Sequence, residues 1–253
     1  MNLPHSLTRT ILIEAPRETV FRYFTDSARW ASWWGAGSAI DARPGGAVLI
    51  RYPNAVEVRG EVLALSEPES IVFTYGYVSG KPVGPGQSQV TIRLEETGDG
   101  TRVHLQHDFS EEAARNEHVQ GWRYQLAVFT NVVADHVQAG ASASADAWYR
   151  AWGIADPAER RALLASVCTP GVCFRDRWAN VATLEDLDAH IAALQRMMPG
   201  MKIEARGKLR HCQGVALSDW AAPGPGGSTA LGGTNVFRFD YQGKIRFVSG
   251  FPA

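Results

Sequence analysis

Residues 111–138 read EEAARNEHVQGWRYQLAVFTNVVADHVQ, and this stretch decides the fold of the first half of the chain. Its large apolar side chains recur at steps of three and four residues, the spacing of one face of an amphipathic helix. They are Val119, Trp122, Leu126, Phe129, Val133 and Val137. A long helix with one apolar face must bury that face, and the segments that precede it are the partner available.

Those preceding segments alternate apolar and polar residues, and a period of two predicts β-strands. The predicted strands cover residues 8–13, 48–52, 58–62, 71–77, 90–94 and 103–109. The sequence Thr97-Gly98-Asp99-Gly100 predicts a tight hairpin turn between the last two. Asp26 and Gly35 are typical ends of a short helix, here one that carries Trp30, Trp33 and Trp34. We therefore predict an antiparallel sheet crossed by one long helix.

The second half has another order of elements. Asp146 predicts the start of a helix with Trp148 and Trp152, and Asp156-Pro157 predicts the start of the next. Further elements follow: a strand over 172–178, a helix over 184–198, and strands over 201–209, 214–220, 234–241 and 244–251. The segments 223–227 and 241–244, rich in glycine and proline, predict turns.

Length and charge limit the functions that we consider. At 253 residues the chain predicts two domains, over 1–139 and 146–253, joined by an Ala/Ser/Gly linker at 140–145. The 25 basic and 26 acidic side chains give a net charge of −1, which predicts no affinity for nucleic acid or for an anionic membrane. With no apolar run of membrane-spanning length and no leader-like start, we expect a cytoplasmic protein.

The three cysteines, Cys168, Cys173 and Cys212, are too few and too unevenly spaced for a disulfide framework. A metal site made from the first two and His211 fits no zinc spacing. We therefore expect buried free thiols, no metal and no cofactor.

Motifs in the first half carry a family resemblance over roughly residues 7–138. They are Ile11-x-Ile13-x-Ala15-Pro16-x-Glu18-x-Val20-Phe21, Trp30-x-x-Trp33-Trp34-Gly35, Phe73-Thr74-Tyr75 and Thr101-Arg102-Val103-x-Leu105-x-His107. In this order they resemble the helix-grip superfamily (START-like, Bet v 1-like), in its branch of Hsp90 ATPase activator homologues. The resemblance implies a seven-stranded sheet wrapped on the C-terminal helix, with a hydrophobic pocket between them.

The second half resembles the nuclear transport factor 2-like superfamily, in its SnoaL-like and ketosteroid-isomerase-like group, over roughly residues 146–251. The motifs are Trp152-x-x-x-Asp156-Pro157-Ala158-x-Arg160-Arg161-x-Leu163-Leu164, Phe174-x-Asp176 and Gly243-Lys244-Ile245-x-x-Val248-x-Gly250-Phe251. This resemblance implies an α+β cone. The fold class predicted for the whole chain is thus α+β, a helix-grip domain followed by a nuclear transport factor 2-like cone.

His107 shares a strand face with Leu105 and Phe109, so it is expected to point toward the pocket. It is interpreted either as a buried neutral histidine with a hydrogen-bond partner or as the polar anchor of a ligand. Trp122 is interpreted as core or as a ligand platform. The predicted ligand-binding residues of both halves are Trp34, Tyr75, Tyr77, His107, Trp122, Phe129, Trp152, Trp178 and Trp220.

Asp176 is the candidate catalytic acid or base, because the strand pattern places it among apolar neighbours. In similar isomerases an Asp at this place is the general base and a Tyr on the first helix donates to the oxyanion, which implies those roles for Asp176 and Tyr149. The alternative is that Asp176 caps the turn that follows it or pairs with a neighbouring arginine. His190, at the edge of a helix stripe, is expected to face solvent or an interface.

Three functions remain open. The first is binding of a small hydrophobic or aromatic ligand in one or both cavities, and we favour it because neither half shows a clear pair of ionisable groups. The second is an acid/base isomerase, cyclase or lyase in the C-terminal cone. The third is a protein-partner module of the cochaperone type. A homodimer through the aromatic strand Phe237–Tyr241 is compatible with each.

Overall fold

The computed structural model describes residues 2–223 and 229–253. The chain divides into two compact units, Met1–Ala134 and Asp135–Ala253. Each unit combines helices with one sheet, so the predicted α+β class is confirmed. Among the described residues, no helix combines the length and the apolar character that crossing a bilayer demands.

The first unit is built on a seven-stranded antiparallel sheet in the order β1-β7-β6-β5-β4-β3-β2. Its elements are β1 (His5–Ile13), α1 (Arg17–Arg22), α2 (Ser27–Trp34), β2 (Ala39–Ile40), β3 (Ala47–Arg51), β4 (Glu57–Ser66), β5 (Ser70–Tyr77), β6 (Ser88–Thr97), β7 (Gly100–Phe109) and α3 (Glu112–Val137), whose last residues belong to the second unit. The predicted helix-grip arrangement is therefore confirmed. Sequence reasoning missed only the short β2.

Local signals set the ends of these elements as predicted. The Asp26 side chain accepts the Arg29 N–H at the start of α2, and Gly35, with φ of 139°, ends that helix. A Cβ at Gly35 would lie 2.3 Å from the Arg51 carbonyl oxygen, so only glycine fits here. Thr97 pairs with Gly100 across the two-residue hairpin loop between β6 and β7.

The second unit contains a six-stranded mixed sheet in the order β10-β11-β12-β13-β8-β9. Its elements are α4 (Ala141–Ala151), α5 (Pro157–Val167), β8 (Cys168–Arg175), β9 (Asn180–Val181), α6 (Leu184–Met197), β10 (Glu204–Cys212), β11 (Val215–Pro223), β12 (Thr229–Phe239) and β13 (Ile245–Pro252). Strand β13 pairs in parallel with β8, and the other pairs are antiparallel. The second unit thus combines three helices with one six-stranded sheet, which is the α+β arrangement predicted for the cone.

Three local predictions were wrong. The segment 140–145 is not an extended linker: α4 begins at Ala141, and Ala141 and Ala145 are buried in the core of the second unit. Strand β8 begins at Cys168, earlier than the start predicted at residue 172. That strand also ends at Arg175, so Asp176 starts a turn instead of continuing the strand face. The domain limits 1–139 and 146–253 stay a prediction.

The aromatic residues of β12 belong to the core. Phe237 and Phe239 are buried and pack with Trp148 and Tyr149, which excludes them as the predicted dimer surface. The turn predicted at 223–227 falls almost wholly outside the described residues, whereas Asp240 and Lys244 close the predicted turn at 241–244 by a backbone bond of 2.8 Å.

Helices α5 and α6 are joined by a buried ion pair. Arg160 Nε donates to Asp188 Oδ1 at 2.6 Å, and both side chains are almost wholly buried. Arg161 donates to the other carboxylate oxygen at 2.5 Å. Burial raises the pKa of Asp188, but the bonds from Arg161 and Arg160 outweigh this and hold that pKa below its ordinary value. The pair joins α5 to α6, and α6 supplies Leu194 to the cavity described next.

Candidate functional site

The second unit contains a cavity of about 80 Å³ lined by sixteen residues, six of them aromatic and most of the others apolar. Helix α4 supplies Trp148 and Tyr149, and Trp152, one turn after Trp148, is the residue that caps this helix. Strands β8 and β11 supply Phe174 and Trp220, and the turn after β8 supplies Trp178. The cavity is therefore suited to a flat apolar molecule.

An open groove of about 410 Å³ continues from this cavity. The two spaces share Asp176, Trp178, Leu194, Met198 and Leu231. Several of the groove's apolar side chains are exposed, namely Trp178 (60%), Met197 (77%), Met198 (38%) and Leu231 (40%). Apolar surface gathered at a cavity entrance is typical of a binding site.

Asp176 lies where the cavity meets the groove. Its Oδ1 accepts the backbone N–H groups of Trp178 at 2.7 Å and Ala179 at 2.6 Å. It therefore caps the turn after β8, as the alternative interpretation expected, and it is half-buried instead of surrounded by apolar groups. The same carboxylate is nevertheless a wall of the cavity, so capping and a role toward a ligand are compatible.

Tyr149 lines the same cavity from α4. Its hydroxyl donates to the Ser218 carbonyl oxygen at 3.3 Å. Burial raises the pKa of Tyr149 to about 12, against the bonds with Ser218 and Asn235, which lower it. Tyr149 is thus a protonated phenol at neutral pH, and the structure brings it and Asp176 into the walls of one cavity.

Sequence reasoning missed His190 as a member of this site. It is half-buried, lines the groove together with Asp176, and contacts the rings of Trp152 (5.9 Å between centroids) and Phe174 (6.0 Å). Burial lowers the pKa of His190, while the charge of Asp176 raises it. The expectation of a solvent-facing or interface histidine holds only in part, because His190 is half-buried at the wall of an open groove. The available signal was that His190 lies next to the apolar stripe of α6 in the sequence. Residues at the edge of such a stripe can line a groove beside the buried face of the helix.

Asp219 and Trp220 are neighbours on β11, so their side chains point to opposite faces and only one of them can line the cavity. Trp220 lines the cavity, whereas Asp219 is exposed and accepts a bond from Thr234 Oγ1 at 2.5 Å. The polar residue that β12 supplies to the cavity is Asn235. Among the residues lining the cavity or the groove, Asp176 is thus the only carboxylate.

The first unit has a smaller and more polar space than the hydrophobic pocket that the resemblance implied. It is a notch of about 50 Å³ between α3 and the sheet. Four predicted ligand residues line it, namely Trp34, Tyr75, Tyr77 and Trp122. The predicted apolar volume is filled by side chains: Phe129 is buried in ring contacts with Tyr23, Phe24 and Trp33, so it belongs to the core and not to a ligand site.

His107 does not line the notch, because its ring is enclosed in a hydrogen-bond network. Trp122 Nε1–H donates to His107 Nδ1 at 2.9 Å, so the ring proton is on Nε2, which bonds Ser88 Oγ at 2.8 Å. Ser88 in turn donates to the Tyr75 carbonyl oxygen at 2.6 Å. Burial, and to a lesser extent His118, lowers the pKa of His107 far below its ordinary value. The interpretation as a ligand anchor is therefore wrong, and His107 is a neutral structural residue.

None of the described residues groups three or more His, Cys, Asp or Glu side chains in a way that would hold a metal ion. Cys168, Cys173 and Cys212 are free thiols, but only Cys168 is buried, so the expectation of burial is wrong for the other two. His211 bonds Asp135 and Gln138.

The fold and these two spaces define a class of two-unit α+β proteins with a helix-grip sheet followed by a cone. Residues 14–134 match the family model of activator of Hsp90 ATPase homolog 1-like proteins. The match covers just under half of the chain and confirms the resemblance of the first half. No curated protein matches the chain.

Solved structures match parts of the chain. An isomerase described as SnoaL-like, from Agrobacterium tumefaciens, is 23% identical with a TM-score of 0.42, over 44% of this chain and 95% of that chain. The protein CalU16 from Micromonospora echinospora is 27% identical with a TM-score of 0.43, over 52% of this chain and 77% of that chain. The Aha1 dimer from Colwellia psychrerythraea is 16% identical with a TM-score of 0.41, over 48% of this chain and 90% of that chain.

Proposed function

We propose that this protein binds a small, flat, apolar or aromatic molecule in the cavity of the second unit. The observation that carries the proposal is the aromatic wall formed by Trp148, Trp152, Phe174, Trp178 and Trp220, continuous with an apolar groove at its entrance. The groove's volume of about 410 Å³ lies in the range of small-molecule sites. A few polar groups, Asp176, Tyr149 and Asn235, would orient the ligand.

Gly250 offers a way to fill the cavity. A Cβ placed there would lie 3.2 Å from both Asn235 Oδ1 and Asp176 Cβ, so Gly250→Val would put its methyl groups among the lining residues. At Gly171, in the same sheet, a Cβ would meet nothing within 4 Å, so Gly171→Val is the matched control.

The test is a titration with N-phenyl-1-naphthylamine, a neutral fluorophore that brightens in apolar surroundings. We expect saturable binding that Gly250→Val weakens at least about tenfold and Gly171→Val leaves unchanged. If Gly250→Val unfolds the unit, Leu231→Asp at the entrance, with exposed Val215→Asp as control, answers the same question. Equal binding by all variants would overturn the proposal.

Acid/base catalysis is the second candidate, favoured by the shared placement of Asp176, Tyr149 and His190 around the cavity and its groove. A carboxylate or imidazole that moves a proton, and a phenol that donates to an oxyanion, would suit isomerisation next to a carbonyl. The test is conversion of 3-cyclohexen-1-one to its conjugated isomer, followed by ultraviolet absorbance. A rate that Asp176→Asn and His190→Gln leave unchanged would exclude these residues as the acid/base groups.

The protein-partner function has the family resemblance of the first unit as its support. A cytoplasmic location and a homodimer stay part of the proposal; the free thiols suit a reducing compartment.

A further inference from the structure

We propose that the notch of the first unit is a separate site for a primary ammonium group. The walls of this notch are formed largely by aromatic rings. Trp34 stands nearly perpendicular to Tyr52 (86°, centroids 5.9 Å apart) and at 72° to Trp122. Tyr75 and Tyr77 form a second perpendicular pair, at 88° and 5.7 Å. Five aromatic side chains therefore wall this one space, and clusters of such electron-rich rings attract cations.

The charge around the notch is the second argument. Its nine lining residues include no Lys or Arg, whereas Glu117 is exposed at the rim. A negative rim over electron-rich ring faces repels an anion and favours a cation. The wall also carries the hydroxyls of Tyr52, Tyr75 and Tyr77, which makes it a poor match for a purely apolar group.

His118 supplies an unused hydrogen-bond acceptor. Its Nδ1–H donates to the Ala114 carbonyl oxygen at 2.7 Å, so Nε2 carries the lone pair. His118 is only 6% exposed, and its buried Nε2 has no hydrogen-bond partner among the described residues. Because Nδ1 points back along α3, Nε2 lies on the other side of the ring, which packs against His107, Phe109, Tyr75 and Tyr77. An ammonium N–H is a donor that would satisfy it.

The tyrosine hydroxyls remain protonated and available as dipoles. Tyr75 donates to Tyr77 at 3.3 Å, so the 3.0 Å contact between Tyr52 and Tyr75 has Tyr52 as its donor. Burial raises the pKa of both Tyr52 and Tyr75, which keeps their protons in place. This series of hydrogen bonds ends at the hydroxyl of Tyr77, which lines the notch together with His118.

Gly121 gives the site an entrance. It lies in the middle of the 26-residue helix α3, one turn from Glu117, and a Cβ there would meet nothing within 4 Å. An interior helical glycine costs about 1 kcal/mol relative to alanine, so packing does not account for it. The missing side chain leaves open the rim through which the alkyl tail of an amine would extend to solvent. The notch volume of about 50 Å³ suits the ammonium head alone.

The experiment is a calorimetric titration of the full chain with n-butylammonium chloride, with n-butanol and sodium butyrate as neutral and anionic controls. We expect the amine to bind at least about tenfold more tightly than either control. Glu117→Gln should weaken it about two- to fivefold and Glu111→Gln should not. His118→Phe, which keeps a ring but removes the acceptor, should weaken it about tenfold.

Gly121→Leu should abolish binding while raising the melting temperature, because it closes the entrance and removes a helical glycine. Ala113→Leu, at an exposed position of the same helix, is the control for side-chain size. Binding of butanol or butyrate as tightly as the amine, or undiminished amine binding by Gly121→Leu, would overturn the site. Leu231→Asp should leave amine binding unchanged, so failure here and failure of the proposed function are distinguishable.

Discussion

The Nε1–H of Trp122 donates to Nδ1 of His107 at 2.9 Å, which joins the long helix to strand β7 and determines which ring nitrogen of the histidine carries the proton. The opposite ring nitrogen bonds Ser88, so both nitrogens are satisfied inside the first unit. Two side chains that the sequence indicated as ligand contacts thus stabilise each other instead. This hydrogen bond therefore stabilises the packing of α3 on β7.

The first prediction concerns pH. Because the folded-state pKa of His107 lies below its ordinary value of about 6.5, the unfolded chain binds a proton that the folded chain excludes. Stability is therefore complete above about pH 6.5 and decreases as the pH falls, by up to about 1.4 kcal/mol per pH unit for each such histidine. His118, with its pKa also lowered by burial, adds to the slope. The measurement is urea unfolding of the wild type and of His107→Gln between pH 7.5 and pH 5. The free energy of unfolding should depend less steeply on pH in the variant; equal slopes would contradict the assignment of His107 as neutral.

The second prediction concerns Ser88, which is wholly buried between His107 and the Tyr75 carbonyl group. Ser88→Ala removes little volume but leaves a buried donor and a buried acceptor without partners. We expect a loss of about 1–3 kcal/mol for each unpaired group in the free energy of unfolding. Exposed Ser79→Ala is the control, and the measurement is urea unfolding followed by circular dichroism. A loss equal to that of the control would mean that the network does not stabilise the fold.

The third prediction concerns the ion pair between α5 and α6. Asp188→Ala leaves Arg160 charged and buried, and we expect it to cost about 3–5 kcal/mol. The exposed carboxylate of Asp186 is the control position. Because the pKa of Asp188 is lowered in the folded state, its stabilisation is present above about pH 4 and is lost as the pH falls through the folded-state value. Wild type and Asp188→Asn should therefore converge in stability under acid conditions; a constant difference would argue against the charged pair.

The fourth prediction separates the two roles of Asp176. Asp176→Asn keeps an oxygen that accepts the N–H groups of Trp178 and Ala179, whereas Asp176→Ala keeps none. We expect the asparagine variant to stay within about 0.5 kcal/mol of wild type in unfolding free energy and the alanine variant to lose about 1–2 kcal/mol. If Asp176→Asn retains stability but changes binding of a ligand in the cavity, the carboxylate acts on the ligand. Equal loss of stability by both variants would show that the charge itself holds the turn.

Periodicity predicted most of the fold because each half buries one face of regular elements. The stripe of α3 and the alternating strands were found from spacing alone, and Asp26, Gly35 and Asp156 marked helix ends through local hydrogen bonds. The Ala/Ser/Gly stretch at 140–145 misled because small residues are typical of linkers, yet here they let α4 pack closely, with Ala141 and Ala145 in the core.

Site prediction succeeded where an element's face decides what a side chain contacts. Trp220 was among the residues predicted to bind a ligand and lines the cavity, whereas His190, at a stripe edge, depends on how α6 meets the sheet. The role of His107 depends on Trp122 and Ser88, which are 15 and 19 residues distant from it. A pattern within one element cannot reveal such a partnership, because it forms only when the helix packs on the sheet.

The most direct test of ligand binding in the second unit uses the indole N–H signals of the eight tryptophans. In a ¹⁵N-labelled sample each indole can be assigned by a Trp→Phe substitution, and 2-naphthol serves as the aromatic probe. Our account predicts saturable shifts of Trp148, Trp152, Trp178 and Trp220, with Trp30 and Trp33 unmoved. Shifts confined to the first unit, or no saturable shift at all, would contradict it.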